Sequence, residues 1–486
     1  MLKVTTTQRR APRGVASPRK GRPGMLRSHV EFWDPMSLKG KRVVVVGAGT
    51  SGVAAADFCL RRGARVVVSD RREPEELGVR GADLARWGAR LAPGGHPWKV
   101  FKKADLVILS PGVPGTLPAL ARARAEGIPV LGEVELAARH LEDPLIAITG
   151  TNGKSTTTAF IGQLLRASSH RAFVGGNFGT PLIQAVDGDH DMVVAELSSF
   201  QLETAESLKP RVAVLLNISE DHLERYEGFE HYAQTKARIF KGQRPRDLAV
   251  VNAEDVVAMR MAEGATGRVH RFSSKGPVAC GAWVEEGHIV VQTESTEARF
   301  DLASFGPPGL HNQENLMAAI LTALSLGITP QEIQRTIPGL EGLSHRMEPV
   351  GTLRGARWFN DSKATNPASV IASCEGLAGG MVLLLGGKDK GGDLGGLREL
   401  LAKQVRHALL FGEARHRMAE AFEGACPLTV VETLGEASVV ARDVSEPGDR
   451  VILSPACSSY DQFVDYRERG RTFRAITQTL ISEERS

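Results

Sequence analysis

The sequence predicts an α/β protein of three domains: an N-terminal Rossmann-like domain, a central α/β sheet of the P-loop type, and a C-terminal Rossmann-like domain. Apolar strands lead into glycine-rich turns at Gly47 and again at Gly150, and strands alternate with helices once more near the C-terminus. The chain has 486 residues, which is enough for several domains of ordinary size. We expect a basic, disordered extension over 1–35 and domains over 36–133, 134–342 and 343–486.

The extension accounts for the positive charge of the chain. The formal net charge is +4, but residues 1–35 hold eight basic and two acidic residues, so the remainder is mildly acidic. A general affinity of the folded part for nucleic acid is therefore excluded. Two interpretations of the extension stay open: an arm that contacts an anionic partner, or translation that starts at Met36, which is favoured.

The cysteines and the apolar segments indicate where the protein works. The five cysteines are odd in number and have no CxxC spacing, which argues against a disulfide framework or a zinc site and favours a reducing cytoplasm. No apolar run approaches the roughly 20 residues that a membrane span needs. The N-terminus also lacks the apolar stretch of a signal peptide.

The first glycine-rich turn follows an apolar strand over 43–46. Gly47, Gly49 and Gly52 form a G-x-G-x-x-G pattern that opens a helix, and Asp70 ends the second strand. Such glycines permit a tight turn, a close approach of phosphate and close packing of helix on strand. The pattern predicts a nucleotide site, with a dinucleotide as the obvious ligand. The alternative is that the glycines serve packing alone.

The second turn follows a predicted strand over 145–149. The run Gly150-Thr-Asn-Gly153-Lys154-Ser155-Thr156 opens a helix, although Ile148 stands where a strict Walker motif has its first glycine. The glycines free backbone N–H groups for phosphates, the lysine reaches the β and γ oxygens, and a hydroxyl binds Mg²⁺. The turn predicts an ATP site, with a fortuitous match as the weaker alternative.

Further residues are weaker candidates when each is taken alone. Glu196 ends a strand beside the phosphate loop, where a carboxylate can hold Mg²⁺. Tyr232, Lys236 and Phe240 share one face of a predicted helix over 229–241. Spacing by itself favours a Lys236 side chain that extends along the apolar face with its amine in water. A lone His222 is likewise more typical of a structural role.

The C-terminal third carries polar loops after its predicted strands. Lys388 and Lys390 follow a strand over 382–385, at the edge where open α/β sheets bind ligands. The loops that hold Arg346, Asp361 and the hydroxyls near Tyr460 add further polar groups. This cationic cluster predicts a small anionic substrate without fixing which one.

Taken together, these motifs resemble the Mur ligase family over the chain from Met36 to about Ser482. The turn over 150–156 marks the wider family, which includes folylpolyglutamate synthase. The segments over 196–203, 360–366 and 453–457 resemble its D-glutamate-adding branch.

The resemblance implies ATP-dependent joining of D-glutamate to UDP-N-acetylmuramoyl-L-alanine through an acyl phosphate, in peptidoglycan precursor synthesis. It also implies a cytoplasmic enzyme, which we expect to be a monomer. Two Mg²⁺ ions and a carbamate on Lys236, derived from CO₂, are implied as cofactors. In this family the first turn binds the uridine diphosphate substrate rather than a dinucleotide.

Site residues follow from the resemblance position by position. The implied catalytic residues are Lys154, Glu196, His222 and Lys236, and the implied metal ligands are Ser155, Glu196, His222 and Lys236. Implied ATP contacts are Gly150, Thr151, Asn152, Gly153, Lys154, Ser155, Thr156, Asn312, Asn315, Arg346 and Asp361. Implied contacts to the UDP substrate are Gly49, Thr50, Ser51, Asp70, Arg71, Asn177, Ser198 and Gln201, of which Arg71 departs from the small hydroxyl residue expected there. Implied contacts to D-glutamate are Thr365, Lys390, Ser459, Tyr460 and Tyr466.

Three rival functions remain at the level of sequence. Another amide ligase of the family would add a different amino acid, although a folate enzyme would lack the unit from Gly47 to Asp70. An NAD(P)-dependent oxidoreductase would leave the Gly150 loop and Glu196 without a role. A nucleotide-binding regulator without activity would leave the basic C-terminal loops without a substrate.

Overall fold

Three sheets flanked by helices follow one another along the chain in the computed structural model. The structure describes residues 37–221, 225–375, 377, 380–389, 391 and 393–484. The basic extension and the proposed start at Met36 lie outside these residues. The predicted α/β fold class is confirmed, while the domain limits at 133/134 and 342/343 stay predictions. None of the described helices combines the length and apolar character needed to cross a membrane.

The first sheet has five parallel strands in the order β3-β2-β1-β4-β5. Its elements are β1 (Arg42–Val46), α1 (Thr50–Arg61), β2 (Arg65–Ser69), α2 (Pro74–Arg86), β3 (Arg90–Ala92), α3 (Trp98–Phe101), β4 (Leu106–Leu109), α4 (Pro118–Ala125), β5 (Val130–Gly132) and α5 (Glu133–Ala138). The order reverses between β1 and β4, so the turns after these two strands meet at one crevice, where open α/β sheets bind ligands.

The second sheet has nine strands in the order β14-β13-β12-β11-β10-β9-β6-β8-β7. Its first elements are β6 (Leu145–Thr149), α6 (Lys154–Ala167), β7 (Ala172–Gly176), β8 (Met192–Glu196), α7 (Ser199–Leu202), β9 (Val212–Leu215), α8 (Phe229–Ala237), β10 (Leu248–Asn252) and α9 (Val256–Ala262). Then follow β11 (Arg268–Ser273), β12 (Gly281–Glu285), β13 (His288–Gln292), β14 (Glu297–Asp301), α10 (Leu310–Ser325) and α11 (Pro330–Thr336). Only β12, β13 and β14 pair antiparallel, which adds a meander to a parallel sheet.

The third sheet has six strands in the order β15-β16-β20-β17-β18-β19, and only the pair β15 and β16 is antiparallel. Its elements are β15 (Glu348–Leu353), β16 (Ala356–Asn360), α12 (Pro367–Cys374), β17 (Met381–Gly386), α13 (Gly395–Gln404), β18 (Val405–Phe411), α14 (Arg415–Ala421), β19 (Leu428–Val430), α15 (Leu434–Val444), β20 (Arg450–Ala456) and α16 (Tyr466–Glu484).

The cores explain the continuous apolar runs of the central strands. Residues 43–46 of β1 and 146–148 of β6 are buried completely, as expected for strands that helices cover on both faces. The helix predicted over 229–241 ends earlier, because α8 stops at Ala237 and a short 3₁₀ turn continues over Arg238–Phe240. Helix α10 starts at Leu310, since Gly309 (φ 91°) ends the preceding loop.

Candidate functional site

The first glycine-rich turn lies at the crevice between β1 and β4. Gly47 adopts φ 94°, which glycine tolerates best, and Ser110 donates a hydrogen bond from Oγ to its carbonyl oxygen (3.0 Å). Thr50 and Ser51 begin α1, whose N-cap residue Gly49 makes no side-chain cap hydrogen bond, so the first N–H groups of the helix are available to an anion. The turn therefore has the geometry of a phosphate cradle.

Asp70 is held inside this turn by its neighbours. Its Oδ2 accepts from the backbone N–H of Ala48 (2.6 Å), and its two oxygens accept from Arg72 Nη2 and Nε (both 2.9 Å). Burial raises the pKa of Asp70, but these hydrogen bonds outweigh it and hold the pKa below its usual range. Arg71 is exposed, so Arg72 is the arginine that contacts Asp70. A ligand that uses this carboxylate has to displace one of these donors.

Two glycines of the turn differ in how closely other atoms pack against them, which allows a matched test. A Cβ on Gly52 would lie 1.8 Å from the Gly47 carbonyl oxygen, whereas a Cβ on Gly49 would meet no atom within 4 Å. We expect Gly52→Ala to lower the free energy of unfolding by roughly 1–3 kcal/mol through overpacking. Gly49→Ala should stay within about 0.5 kcal/mol of the wild type. Thermal unfolding of both variants measures the two free-energy changes, and equal losses of stability would contradict the packing role of Gly52.

The phosphate loop connects β6 to α6 in the middle of the second sheet. Gly150 (φ 152°) and Gly153 (φ 81°) both take conformations that favour glycine. Asn217, which follows β9, holds the loop in place, because its Oδ1 accepts hydrogen bonds from the N–H groups of Thr151 (3.1 Å) and Asn152 (2.8 Å). Ser155, Thr156 and Thr157 are buried in the first turn of α6.

Two lysine amines converge on one carbonyl oxygen of this loop. Lys154 Nζ donates to the carbonyl oxygens of Gly150 (2.9 Å) and Thr151 (2.8 Å), and Lys236 Nζ donates to that of Gly150 (2.7 Å). Burial lowers the pKa of both amines, and the charge of Lys154 lowers that of Lys236 further. The side chain of Lys236 also lies against the ring of Tyr232, with Nζ 4.7 Å from its centroid.

The water-exposed interpretation of Lys236 is wrong. The residue is 2% exposed and packs inside the second domain on the buried face of α8. An ammonium in this place is costly, because desolvation disfavours the charged form and a second amine lies beside it. Burial and the neighbouring amine therefore both favour the neutral form of Lys236.

Glu196 ends β8 beside the phosphate loop and is 3% exposed. Its Oε1 accepts from Asn177 Nδ2 (2.9 Å), while its buried Oε2 has no hydrogen-bond partner in the described part of the chain. A buried carboxylate oxygen without a partner is rare unless a cation or a ligand completes its shell. Glu196 therefore fits a Mg²⁺ site next to the loop.

The segment after Glu196 forms a short helix with a reciprocal cap. The Oγ of Ser198 accepts from the backbone N–H of Gln201 (3.3 Å), and Gln201 Oε1 accepts from the N–H of Ser198 (3.0 Å). This is the capping-box arrangement, and it fixes both side chains at the loop edge. His222, the predicted metal ligand and catalytic residue, lies outside the described residues.

Polar residues of α10 and the third domain approach the phosphate loop from other sides. Asn315 Oδ1 accepts from Thr157 Oγ1 (3.0 Å), and Asn315 Nδ2 donates to Asn312 Oδ1 (3.4 Å). Arg346 Nη2 donates to Ser155 Oγ (3.3 Å). The loop thus receives an arginine from the start of the third domain, where a γ-phosphate would need a cation.

Asp361 positions the segment that carries Arg346. It is 3% exposed, its Oδ1 accepts from the N–H of Met347 (3.2 Å), and its Oδ2 accepts from Ser454 Oγ (2.8 Å). Burial raises its pKa to about 6. His345 and Met347 both have positive φ angles, of 66° and 44°, so Asp361 stabilises an unusual bend beside Arg346.

The predicted D-glutamate residues gather at the carboxyl ends of β16 and β20. Ser459 is 2% exposed, whereas Tyr460 is 69% exposed. The ring of Tyr466 lies beside Lys363, whose Nζ is 4.1 Å from the ring centroid. Thr365 follows β16 in the same region and is partly buried. Lys390 lies outside the described residues.

Arg469 joins the loops of the third sheet and was missed by the sequence analysis. It is fully buried on α16, and it donates to Ser362 Oγ (3.0 Å) and to the carbonyl oxygens of Ser362 (2.9 Å), Cys457 (3.1 Å) and Ser458 (3.2 Å). It shares an i, i+4 stripe with buried Phe473, Thr477 and Ile481, the same signal that singled out Lys236.

Each of the three sheets corresponds to a known domain family. Residues 41–132 match the N-terminal domain of MurD-like Mur ligases, residues 148–323 match the Mur ligase middle domain, and residues 345–457 match the glutamate ligase domain of Mur ligases. All three matches follow one another in this order along the chain.

Two relatives match this chain along nearly their whole length. UDP-N-acetylmuramoylalanine--D-glutamate ligase of Syntrophotalea carbinolica is 46% identical over 442 residues, which cover 91% of this chain and 98% of the relative. The enzyme of the same name from Geobacter metallireducens is 43% identical over 452 residues, which cover 93% of this chain and all of the relative.

Solved structures show the same fold at lower identity. A pseudomurein peptide ligase type C from Methanothermus fervidus superimposes with a TM-score of 0.58 at 19% identity, over 91% of this chain and 100% of that chain. UDP-N-acetylmuramate-alanine ligase from Thermotoga maritima superimposes with a TM-score of 0.57 at 20% identity, over 90% and 99%.

Proposed function

Because this chain belongs to the Mur ligase family, we propose that it joins D-glutamate to UDP-N-acetylmuramoyl-L-alanine with cleavage of ATP to ADP and phosphate. It is an ATP-dependent amide ligase of peptidoglycan synthesis. The observation that carries this function is the 46% identity to a D-glutamate ligase along nearly the whole of both chains. The phosphate loop with its two converging lysines supplies a site for the chemistry.

We assign the substrates to three regions, one for each sheet. The turn at Gly49, Thr50 and Ser51 binds the uridine diphosphate end, where helix α1 offers free N–H groups. The loop over 150–156 binds the ATP phosphates. The loops around Thr365, Ser459 and Tyr466 bind D-glutamate, and Arg469 fixes their backbones.

Lys154 and Arg346 are the cations of the reaction. ATP transfers its γ-phosphoryl group to an oxygen of the L-alanine carboxylate, which gives an acyl phosphate and ADP. Lys154 Nζ donates a hydrogen bond to the Thr151 carbonyl oxygen of the loop, and Arg346 donates one to Ser155 in the first turn of α6. Both cations are placed to stabilise the charge on the transferred group, since phosphoryl transfer depends on positioning and electrostatics.

The second step forms the amide bond. The amine of D-glutamate attacks the acyl carbon, the carbon–oxygen bond to phosphate breaks, and inorganic phosphate leaves with one former carboxylate oxygen. The amine must lose its proton for this attack. The third domain contacts the phosphate loop directly, since Ser369 Oγ donates to Asn152 Oδ1 (3.1 Å), and this contact would bring its amino acid substrate close to the loop.

Glu196 is the residue that we assign to Mg²⁺ in the described part of the site. Its buried Oε2, which has no hydrogen-bond partner among the described residues, and the hydroxyl of Ser155 in the phosphate loop are oxygen donors of the type that Mg²⁺ prefers. When bound, Mg²⁺ neutralises phosphate oxygens during transfer. Asn177 orients Glu196 through the hydrogen bond to Oε1.

Lys236 is the residue that we assign to carbamylation by CO₂. The neutral amine attacks the carbon of CO₂, an N–C bond forms while one C–O π bond opens onto oxygen, and one N–H proton passes to water, so the side chain becomes an anionic carbamate. Lys154 donates to the same Gly150 carbonyl oxygen as Lys236, so a positively charged Lys236 is repelled by Lys154. A negatively charged carbamate on Lys236 would instead be attracted to Lys154. The lowered pKa of Lys236 supplies the neutral form that this reaction needs.

We further propose that the enzyme is a cytoplasmic monomer. The five cysteines are all free, which agrees with a reducing compartment. Gel filtration with light scattering measures the mass directly, and a dimer mass would contradict the monomer.

The substrate panel tests the proposed function. Phosphate release is measured with ATP, Mg²⁺, UDP-N-acetylmuramoyl-L-alanine and one amino acid at a time, among them D-glutamate, L-glutamate, L-alanine and meso-diaminopimelate. We expect turnover with D-glutamate alone, and none when the muramoyl substrate lacks its L-alanine. Preference for another amino acid would identify a different member of the family. Hydride transfer from a nicotinamide nucleotide, or the absence of turnover, would contradict ligase activity.

A further inference from the structure

A histidine, a cysteine and a glutamate meet on the second sheet, away from the phosphate loop. β11 pairs with β12 so that Arg271 lies opposite Gly281, and β12 pairs with β13 so that Gly281 lies opposite Gln292. His270 and Cys280 each stand one residue before these partners, and Glu294 follows in the turn after β13. Strand pairing therefore brings together three residues whose spacing in the sequence matches no CxxC-type motif.

The distances are those of a compact ligand set. His270 Nε2 lies 3.0 Å from Glu294 Oε2, and these atoms and Cys280 Sγ all lie within 4.8 Å of one another. His270 is 5% exposed, and its second ring nitrogen, Nδ1, is buried without a partner among the described residues. The Glu294 side chain is 58% exposed, so the cluster is open to ions from one side.

The donor atoms select the kind of cation. A thiolate, an imidazole nitrogen and a carboxylate oxygen suit Zn²⁺ and similar borderline ions, whereas Mg²⁺ prefers oxygen donors throughout. Burial lowers the pKa of His270, so its ring is neutral and able to coordinate near neutral pH. Burial raises the pKa of Cys280, so coordination has to remove the thiol proton.

We propose that His270, Cys280 and Glu294 form a binding site for Zn²⁺ or a similar divalent ion, with water in the fourth position. Binding deprotonates Cys280 and releases that proton to solvent, while the neutral ring of His270 takes the tautomer with its proton on Nδ1, so that Nε2 coordinates the ion. The strand order places β11 three strand spacings, roughly 14 Å, from β6 and the phosphate loop. The site is therefore separate from the Mg²⁺-dependent chemistry.

The position of the site suggests a structural role. β14 is the edge strand of the nine-stranded sheet, and Glu294 lies in the turn that leads into it. A metal ion would tie this turn to β11, which lies three strands in from the edge strand. An ion that binds only the folded state stabilises it by mass action.

Cobalt substitution tests the proposal on the full-length protein. Metal-free enzyme is titrated with Co²⁺ in excess Mg²⁺, and the near-ultraviolet charge-transfer absorption between thiolate and cobalt is recorded. We expect this band in the wild type and in Cys426→Ser, a partly buried cysteine of the third domain. Cys280→Ser should lose the band and bind Zn²⁺ at least about tenfold more weakly. Glu294→Gln, a change on an exposed side chain, should weaken Zn²⁺ binding while the fold stays intact.

The same data can overturn the site. No thiolate band in the wild type, or a band that persists in Cys280→Ser, would contradict it. Unaltered Zn²⁺ affinity of Glu294→Gln would remove Glu294 from the ligand set. These outcomes are independent of ligase activity, because the readout is absorption by a cysteine ligand.

Discussion

Replacement of Lys154 by alanine is expected to abolish phosphate release that depends on ATP. Lys154 Nζ lies within 2.9 Å of two carbonyl oxygens of the phosphate loop, so it faces the space in which the loop would hold phosphates. Loss of one pre-positioned donor to a developing charge lowers kcat about 100-fold to 1,000-fold. We expect Lys154→Ala to lose at least that much.

The measurement is steady-state phosphate release at saturating ATP, with Lys241→Ala as the matched control. Lys241 is an exposed lysine just after the helical segment that carries Lys236, so its replacement should leave turnover unchanged. Thermal unfolding of both variants checks the fold. Turnover of Lys154→Ala close to that of the wild type would contradict the phosphate-loop assignment.

Replacement of Lys236 by alanine is expected to remove activity that a small carboxylic acid then partly restores. Lys236 is 2% exposed, and its amine has the Gly150 carbonyl oxygen as a partner. Alanine leaves a buried space beside the loop, and the carboxylate of formate or acetate can take the place of the carbamate. We expect a loss of at least about 100-fold, and a rise in turnover with increasing acid concentration.

Two further variants make the rescue specific. Lys236→Met fills the space with a side chain of similar length but no amine, so we expect it to be inactive and insensitive to the acids. Lys154→Ala should be insensitive as well, because a carboxylate cannot replace a cation. Equal turnover of Lys236→Ala with and without acids would argue against the carbamate.

The parts of the fold that local sequence determines could be predicted. The apolar runs before Gly47 and Gly150 are central parallel strands, and their residues are buried completely. The edge strands β3 and β5 are only three residues long and carry little periodicity, so the sequence predicts no strand at either place. The meander over β12, β13 and β14 was also missed. Its first turn lies at Glu286 and Gly287, which both have positive φ angles.

Lys236 shows how far spacing alone can lead. The i, i+4, i+8 stripe correctly placed it on an apolar face, but the same pattern fits a lysine that reaches water and one that is buried. Burial depends on what packs against the helix. Only the tertiary structure brings the carbonyl of Gly150 to its amine.

Contacts between distant segments could not be predicted for the same reason. The hydrogen bond of Arg346 to Ser155 joins residues 191 positions apart, and that of Ser369 to Asn152 joins residues 217 apart. The hydrogen bond of Arg72 to Asp70 joins residues close in sequence, but it was missed as well. Arg71 and Arg72 are adjacent, and only the backbone direction decides which of the two side chains contacts Asp70. The cysteine spacing argues against a zinc site, but it cannot reveal this cluster, since strand register rather than a CxxC motif brings Cys280 to His270.

The most direct test of the ligase reaction follows an oxygen atom. UDP-N-acetylmuramoyl-L-alanine with heavy oxygen in both positions of the alanine carboxylate is turned over with ATP and D-glutamate, and the phosphate is analysed by mass spectrometry. The acyl-phosphate route predicts one heavy oxygen in each phosphate released and one in the new amide. Phosphate without heavy oxygen would show that ATP does not activate this carboxylate, and would contradict the proposed function.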